Sequence, residues 1–304
     1  MDKDFIKQNR VILGLRRIAH SSDEEVESLI KGALDLGIHY FDIADIYTGG
    51  VCEEKLGKVL KANPSLRSKR FIQTKCGIVR NPGDPTVRDL SKKHILEAVD
   101  ASLRRRNTDH VDCLLLHRPD IFRDNKEIQE AISILKKEGK ILHFGVSNRD
   151  KEIIGYLQEG GSNQVEVNQL QLSLGQPSLL SQVFNTNNPD QSPLLSDGLF
   201  FYRKRKNRPL QCWSPYQYEF FNGSIFTNSH RKPTQALLKQ IAEKYHTTPC
   251  AIATSFLTRL GDNIEVITGS TDLSHIKETL DGVSIQRTKT EWYGLYCSTG
   301  NLLP

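Results

Sequence analysis

The sequence predicts a closed (β/α)8 barrel. Two observations carry that expectation. Eight short runs rich in β-forming residues recur along the 304-residue chain with helical stretches between them. The runs are apolar on both faces, as strands of a parallel sheet covered by helices must be. Eight strand–helix units suit a closed barrel, which holds about 250 residues as one domain, better than the open doubly wound sheet that is the alternative. One barrel domain over residues 1–304 is expected.

The elements follow in order. "RVILGL" (10–15) is the first strand, and the helix "SDEEVESLIKGALDLG" comes next, with Ser22 or Asp23 placed to cap its start and Gly37 to end it. "HYFDI" (39–43) and "RFIQTK" (70–75) are strands two and three. In "SKKHILEAVDASLRRRN" Ser91 is the cap, and Ile95, Val99 and Leu103 lie four apart along one face. Strands four to six are "VDCLLLH" (111–117), "HFGVSN" (143–148) and "VEVNQL" (165–170). The Pro/Asn/Ser/Asp-rich stretch 175–200 is longer than a barrel loop needs and reads as an excursion before the helix leading to "PLQCWS" (209–214). "IEVITGS" (264–270) completes the set. The basic runs "LRRRN" (103–107) and "YRKRKNRP" (202–209) each end a helix ahead of a strand, so solvated helix ends are expected rather than nucleic-acid contacts.

Hydrophobic residues at 38% and charged residues at 25% describe a globule with a large core, and a net charge of +5 is far from the basic face of a nucleic-acid-binding domain. The six cysteines, at 52, 76, 113, 212, 250 and 297, show no metal-ligand or disulfide spacing. No metal site is expected, and reduced thiols in the cytoplasm are. The start, "MDKDFIKQNR", is too polar for a signal peptide, and no apolar run reaches the length of a membrane helix.

In such a barrel the chemistry sits where strands end. Strand two ends at Asp42 with Tyr47 on its loop, strand three at Lys75, strand four at His117. Ser147 and Asn148 end strand five, Asn168 and Gln169 strand six, Trp213 and Ser214 strand seven, Gly269 and Ser270 strand eight. A buried Asp42 costs several kcal/mol unless a cation offsets it, and Lys75 on the neighbouring strand is that cation. The lysine ammonium is also expected to lower the pKa of the Tyr47 phenol, making it a general acid. His117 is placed to orient a carbonyl by hydrogen bonding. No nucleophile stands among these residues, while Ser147, Asn148, Gln169 and the Trp213 ring form a cradle for a flat, amide-bearing ring such as nicotinamide. Asp45 is read as structural, not as half of a carboxylate pair with Asp42.

These residues bring a family into view. The stretches "ADIYTGGVCEEKLG", "TKCGI", "LLLHRPD", "GKILHFGVSN", "CWSP" and "EWYGLY", in this order across residues 10 to 304, make the chain resemble the aldo-keto reductases, most closely their bacterial branch of oxidoreductases. The resemblance implies an NADP(H)-dependent carbonyl reductase, with NAD(H) also admitted, whose catalytic tetrad is Asp42, Tyr47, Lys75 and His117. It implies carboxamide contacts at Ser147, Asn148 and Gln169, stacking on Trp213, and pyrophosphate contacts from Ser214. Adenosine-phosphate contacts fall on Gly269, Ser270, His275, Glu278 and Thr279. The substrate is then a small carbonyl compound, and a monomer without nucleic-acid or membrane partners is expected.

Two departures stand out. Gly269 and His275 occupy positions where many members carry a lysine and an arginine against the 2′-phosphate, which predicts a weaker or pH-sensitive grip unless Lys277 compensates. "YQYEFF" (216–221) replaces a glycine-rich turn after "WSP" and, with 175–200, alters the substrate channel. Two other functions remain open: an NADP(H)-binding sensor or accessory subunit with little turnover, and a lyase or hydrolase using Lys75 as a Schiff base.

Overall fold

A computed structural model describes residues 10–185, 198–219, 222–301 and 303. Its barrel strands are β1 (Val11–Gly14), β2 (Tyr40–Asp42), β3 (Phe71–Cys76), β6 (Val111–Leu116), β7 (Ile141–Ser147), β8 (Asn168–Gln171), β9 (Leu210–Trp213) and β10 (Ile264–Thr268). They close in the order β1-β10-β9-β8-β7-β6-β3-β2, and neighbouring strands run parallel. All eight expected strand runs are therefore barrel strands. β8 begins three residues later than the sequence suggests, yet the stretch before it still bonds β7, through Glu166 N to Phe144 O (2.9 Å) and Val146 N to Val167 O (3.0 Å). Gly145 permits this approach, because a Cβ there would lie 2.4 Å from the Val167 side chain.

Two compact units can be distinguished. The first comprises Ile12–Asn168 and Gly269–Leu273; the second includes Gln169–Thr268 and Ser274–Pro304. In the first, Ser22 caps the helix Asp23–Asp35 by accepting from Glu25 N, and the Glu25 carboxylate accepts from Ser22 N in return. Gly37 follows with a φ of +85°. Ser91 caps the helix Lys92–Arg106, which ends on Asn107 in the left-handed region, and Ile95, Val99 and Leu103 are buried as their spacing predicts. An antiparallel hairpin unforeseen in the sequence, β4 (Ile78–Val79) with β5 (Val87–Arg88), follows β3. Gly77 precedes it and Gly83 lies in its loop, both with positive φ.

The basic runs correct one expectation. Arg104 is exposed, but Arg106 is fully buried, its Nε on Ser102 O (3.1 Å) and 3.4 Å from Glu53 Oε1. Arg105 pairs with Glu53 Oε2 at 2.7 Å. The cause is Gly57 in the helix Val51–Ala62: a Cβ there would sit 2.1 Å from Arg105 O, so only glycine lets the two helices approach closely enough to bring Glu53 to the basic end. In the second unit Lys204, Arg205 and Lys206 are exposed, while Arg203 is buried against Asn263 Oδ1 (2.6 Å). Among the described residues no helix is long and apolar enough to cross a membrane, and all six cysteines are free thiols. The polar start, at residues 1–9, lies outside the described residues, as do 186–197 of the long excursion and 220–221 of "YQYEFF".

Candidate active site

β2 and β3 pair with Asp42 opposite Gln73. Because side chains alternate along a strand, Tyr40 and Asp42 share a face of β2, and Gln73 and Lys75 share the corresponding face of β3. Asp42 and Lys75 are 3% and 0% exposed. Lys75 Nζ donates to Asp42 Oδ2 (2.7 Å), Ile43 O (2.9 Å) and Tyr47 OH (3.2 Å), which directs all three of its protons. Burial works against the ammonium charge, but Asp42 and Tyr47 outweigh it and hold the Lys75 pKa above its ordinary value. A lysine kept charged and fully bonded is poorly suited to Schiff-base formation, which needs a neutral amine.

Tyr47 opens a short turn, Tyr47–Gly50, in which Thr48, Gly49 and Gly50 all have positive φ. The Thr-Gly-Gly sequence supplies two residues that adopt this conformation without strain. The turn leaves the phenol beside three other groups: Lys75 Nζ 5.0 Å from the ring centroid, Arg16 at 5.9 Å over the ring, and the His117 ring edge-on at 6.0 Å. Here the chemistry departs from expectation. Burial raises the Tyr47 pKa above its ordinary value, and Lys75 offsets only part of that rise. Tyr47 therefore holds its proton firmly at neutral pH. His117 goes the other way: burial, then Lys75 and the nearby arginines, push its pKa well below the usual imidazole value, so the ring is neutral. Its Nδ1 is buried without a hydrogen-bond partner.

Asp45 also acquires an account. Its backbone N–H donates to Lys75 O (3.1 Å), its Oδ1 is buried and unpartnered, and burial together with Glu53 raises its pKa to about 7. Glu53 is the hub behind it, accepting from Thr74 Oγ1 (2.8 Å), Ser102 Oγ (3.0 Å) and Arg105 Nε (2.9 Å).

The expected cofactor residues fall near strand ends, within β8 and on the helix Leu273–Asp281. In the first, Ser147 ends β7, nearly fully buried, and its Oγ accepts from Asn148 Nδ2 (2.7 Å). Asn148 turns the chain with a φ of +57°. Gly269 and Ser270 follow β10; Arg17 Nη1 reaches Gly269 O (3.3 Å), and Ser270 Oγ accepts from Asp272 N (3.1 Å). In the second unit, buried Gln169 donates to Gln211 Oε1 (3.0 Å), Trp213 ends β9, and Ser214 turns with a φ of +50°. On the helix Leu273–Asp281, His275 is exposed and Glu278 partly so. Lys277, the suggested compensating cation, is bonded to Asp281 at 2.8 Å. Thr279 is fully buried; its hydroxyl donates to His275 O (3.0 Å) and accepts from Tyr216 OH (2.7 Å), so protein groups already occupy it.

Tyr40 and Gln73 join the site beyond the residues expected of it. Tyr40 OH donates to Gln73 Oε1 (2.7 Å), and Gln73 Nε2 donates to Asp42 Oδ1 (2.6 Å). Their signal was available: each lies two residues before a tetrad member on the same strand face. Asn168 gives its Nδ2 to Arg149 O (2.8 Å), while its Oδ1 is buried without a partner. An unpaired buried oxygen is uncommon in native proteins, and this one suits a ligand that brings an amide N–H. The donor set thus fits an amide-bearing ring.

The parallel barrel brings Asp42, Tyr47, Lys75 and His117 together, and the comparisons with known proteins make the chain an oxidoreductase. The chain belongs to the Aldo/keto reductase family, whose model matches residues 10–294. It is 33% identical over 301 residues to a 6-dehydroglucose reductase of Agrobacterium fabrum, covering 96% of this chain and 95% of that one. It is 29% identical over 292 residues to the oxidoreductase YdhF of Escherichia coli, covering 94% and 91%. Among solved structures, the thermostable aldo-keto reductase Tm1743 shares the fold, with a TM-score of 0.75 at 23% identity over 95% of this chain and 94% of that one.

Proposed function

We propose that the protein reduces an aldehyde or ketone to the alcohol with NADP(H), Tyr47 delivering the proton to oxygen. The observation that carries this reading is the bond from Lys75 Nζ to Tyr47 OH at 3.2 Å. With the lysine as donor, the phenol oxygen is the acceptor and its own proton points elsewhere. Tyr47 then gives that proton to a carbonyl oxygen, and the ammonium beside it stabilises the phenolate left behind. The raised pKa of Tyr47 keeps the proton in place until the carbonyl oxygen becomes basic enough to take it. Neutral His117 donates a hydrogen bond to the same oxygen and orients the carbonyl.

The nicotinamide cofactor, when bound, supplies the hydride. Ser147, Asn148 and Gln169 would hold its carboxamide, with Asn168 Oδ1 as a further acceptor, and Trp213 would cover the ring. Ser214 would meet the pyrophosphate, and Gly269, Ser270, His275 and Glu278 the adenosine phosphate. NADP(H) is preferred by family resemblance, and NAD(H) is the variant to compare. A monomer working in the cytoplasm is part of the same reading.

The test follows NADPH and NADH absorbance with a panel of aldehydes, ketones and quinones, including 6-dehydroglucose because of the Agrobacterium relative's name. Turnover with at least one carbonyl, together with quenching of tryptophan fluorescence by the cofactor, is the expected result. Quenching without turnover on any panel member would favour a sensor or accessory subunit. No quenching by either cofactor would overturn the proposal.

A further inference from the structure

Lys75 can serve Tyr47 only if it does not give two protons to Asp42. A carboxylate has two oxygens, and an ammonium facing it alone can swing to bridge both. In this protein one of them is already taken: Gln73 Nε2 occupies Asp42 Oδ1 at 2.6 Å, leaving Oδ2 for Lys75 at 2.7 Å. The remaining Lys75 protons go to Ile43 O and Tyr47 OH.

The amide of Gln73 could in principle be turned over, which would set its oxygen against the carboxylate. Asp42 disfavours this, and Tyr40 supports the orientation that Asp42 requires. With a carboxylate on one side, the amide must present its N–H there, and its oxygen then faces the Tyr40 hydroxyl, which donates to it at 2.7 Å. Tyr40 and Gln73 are both fully buried, so water does not compete for these bonds. The register of β2 against β3, with Asp42 opposite Gln73, puts the four side chains on one shared face.

We propose that Gln73, its amide oriented by Asp42 and supported by Tyr40, is a positioning residue that holds Asp42 to a single bond with Lys75 and so aims the lysine at Tyr47. The proposal rests on Tyr47 being the proton donor. A polar pair serving only to fill the core would affect stability but leave the titration of Tyr47 untouched.

The experiment measures alcohol oxidation by NADP+, in which Tyr47 must accept a proton, as log kcat against pH for the parent, Gln73→Leu, Tyr40→Phe and Tyr47→Phe. Cofactor affinity is read by fluorescence quenching in each. In Gln73→Leu, Lys75 is free to bridge Asp42, so Tyr47 loses part of its stabilisation as phenolate. The rising limb should move to higher pH by about one unit, with kcat at pH 8 reduced about tenfold and cofactor affinity unchanged. Tyr40→Phe should shift the limb the same way by less, and it carries the test if Gln73→Leu does not fold. Unshifted limbs in folded variants, alongside an inactive Tyr47→Phe, would overturn the positioning role alone. Parental turnover by Tyr47→Phe would instead remove the reading on which it rests.

Discussion

Asp42 on β2 and Glu265 on β10 are both acids enclosed in a barrel strand, 3% and 0% exposed. Asp42 has a donor on each oxygen, Gln73 on one and Lys75 on the other. Neither oxygen of Glu265 has a hydrogen bond of ordinary geometry among the described residues, Gln211 being its weak side-chain donor. Burial pushes its pKa up to about 8 against the opposing pull of Gln211 and Arg10. The same fold thus gives one buried acid a cation and a second donor, and leaves the other its proton at neutral pH. Asp42 is coupled through Lys75 to a phenol on a loop, whereas Glu265 is fully enclosed near the start of β10. Asp45 stands between them, with a pKa of about 7 and one unpartnered oxygen.

The largest effect expected from breaking this contrast is at Lys75. Lys75→Met leaves Asp42 buried without its cation, so urea unfolding should show a loss of about 3–5 kcal/mol. Carbonyl reduction by the folded fraction should fall about a thousandfold, since the phenolate loses its neighbouring charge.

Glu265→Gln sharpens the comparison through pH. The carboxyl titrates near 4.5 when unfolded and near 8 when folded. Between those values the native state holds a proton that the unfolded state has released, so the parent loses stability as pH rises through that window. The glutamine variant carries no such dependence. Unfolding curves at pH 5 and pH 9 should show it gaining, relative to the parent, up to about 4 kcal/mol across the interval. Asp45→Asn should gain in the same direction over a lower window, from the unfolded value of 3.8 to about 7. Partial exposure limits that gain to about 1–2 kcal/mol.

Much of this was legible in the sequence. The eight apolar runs gave the barrel because strands covered on both faces need no alternation, and reading only the residues where runs stop brought Asp42, Lys75 and His117 together. Strand register was not legible. Tyr40 and Gln73 sit two residues before Asp42 and Lys75, but nothing in the spacing says that Asp42 faces Gln73, and without that pairing an inward glutamine has no assigned partner. The direction of the Tyr47 shift is illegible for a related reason: the neighbouring charge is visible in sequence, while the degree of burial that outweighs it is not. The basic helix ends are illegible likewise, since "LRRRN" gives no hint that Glu53, far earlier in the chain, meets Arg105 and Arg106. The hairpin after β3, by contrast, carried a readable "NPGDP" turn signal.

The measurement that bears most directly on the account is a single-turnover reduction by Tyr47→Phe, with cofactor affinity determined on the same sample. The variant should bind NADPH as the parent does while its rate falls at least about a hundredfold. A variant that reduces the carbonyl at the parental rate would contradict it.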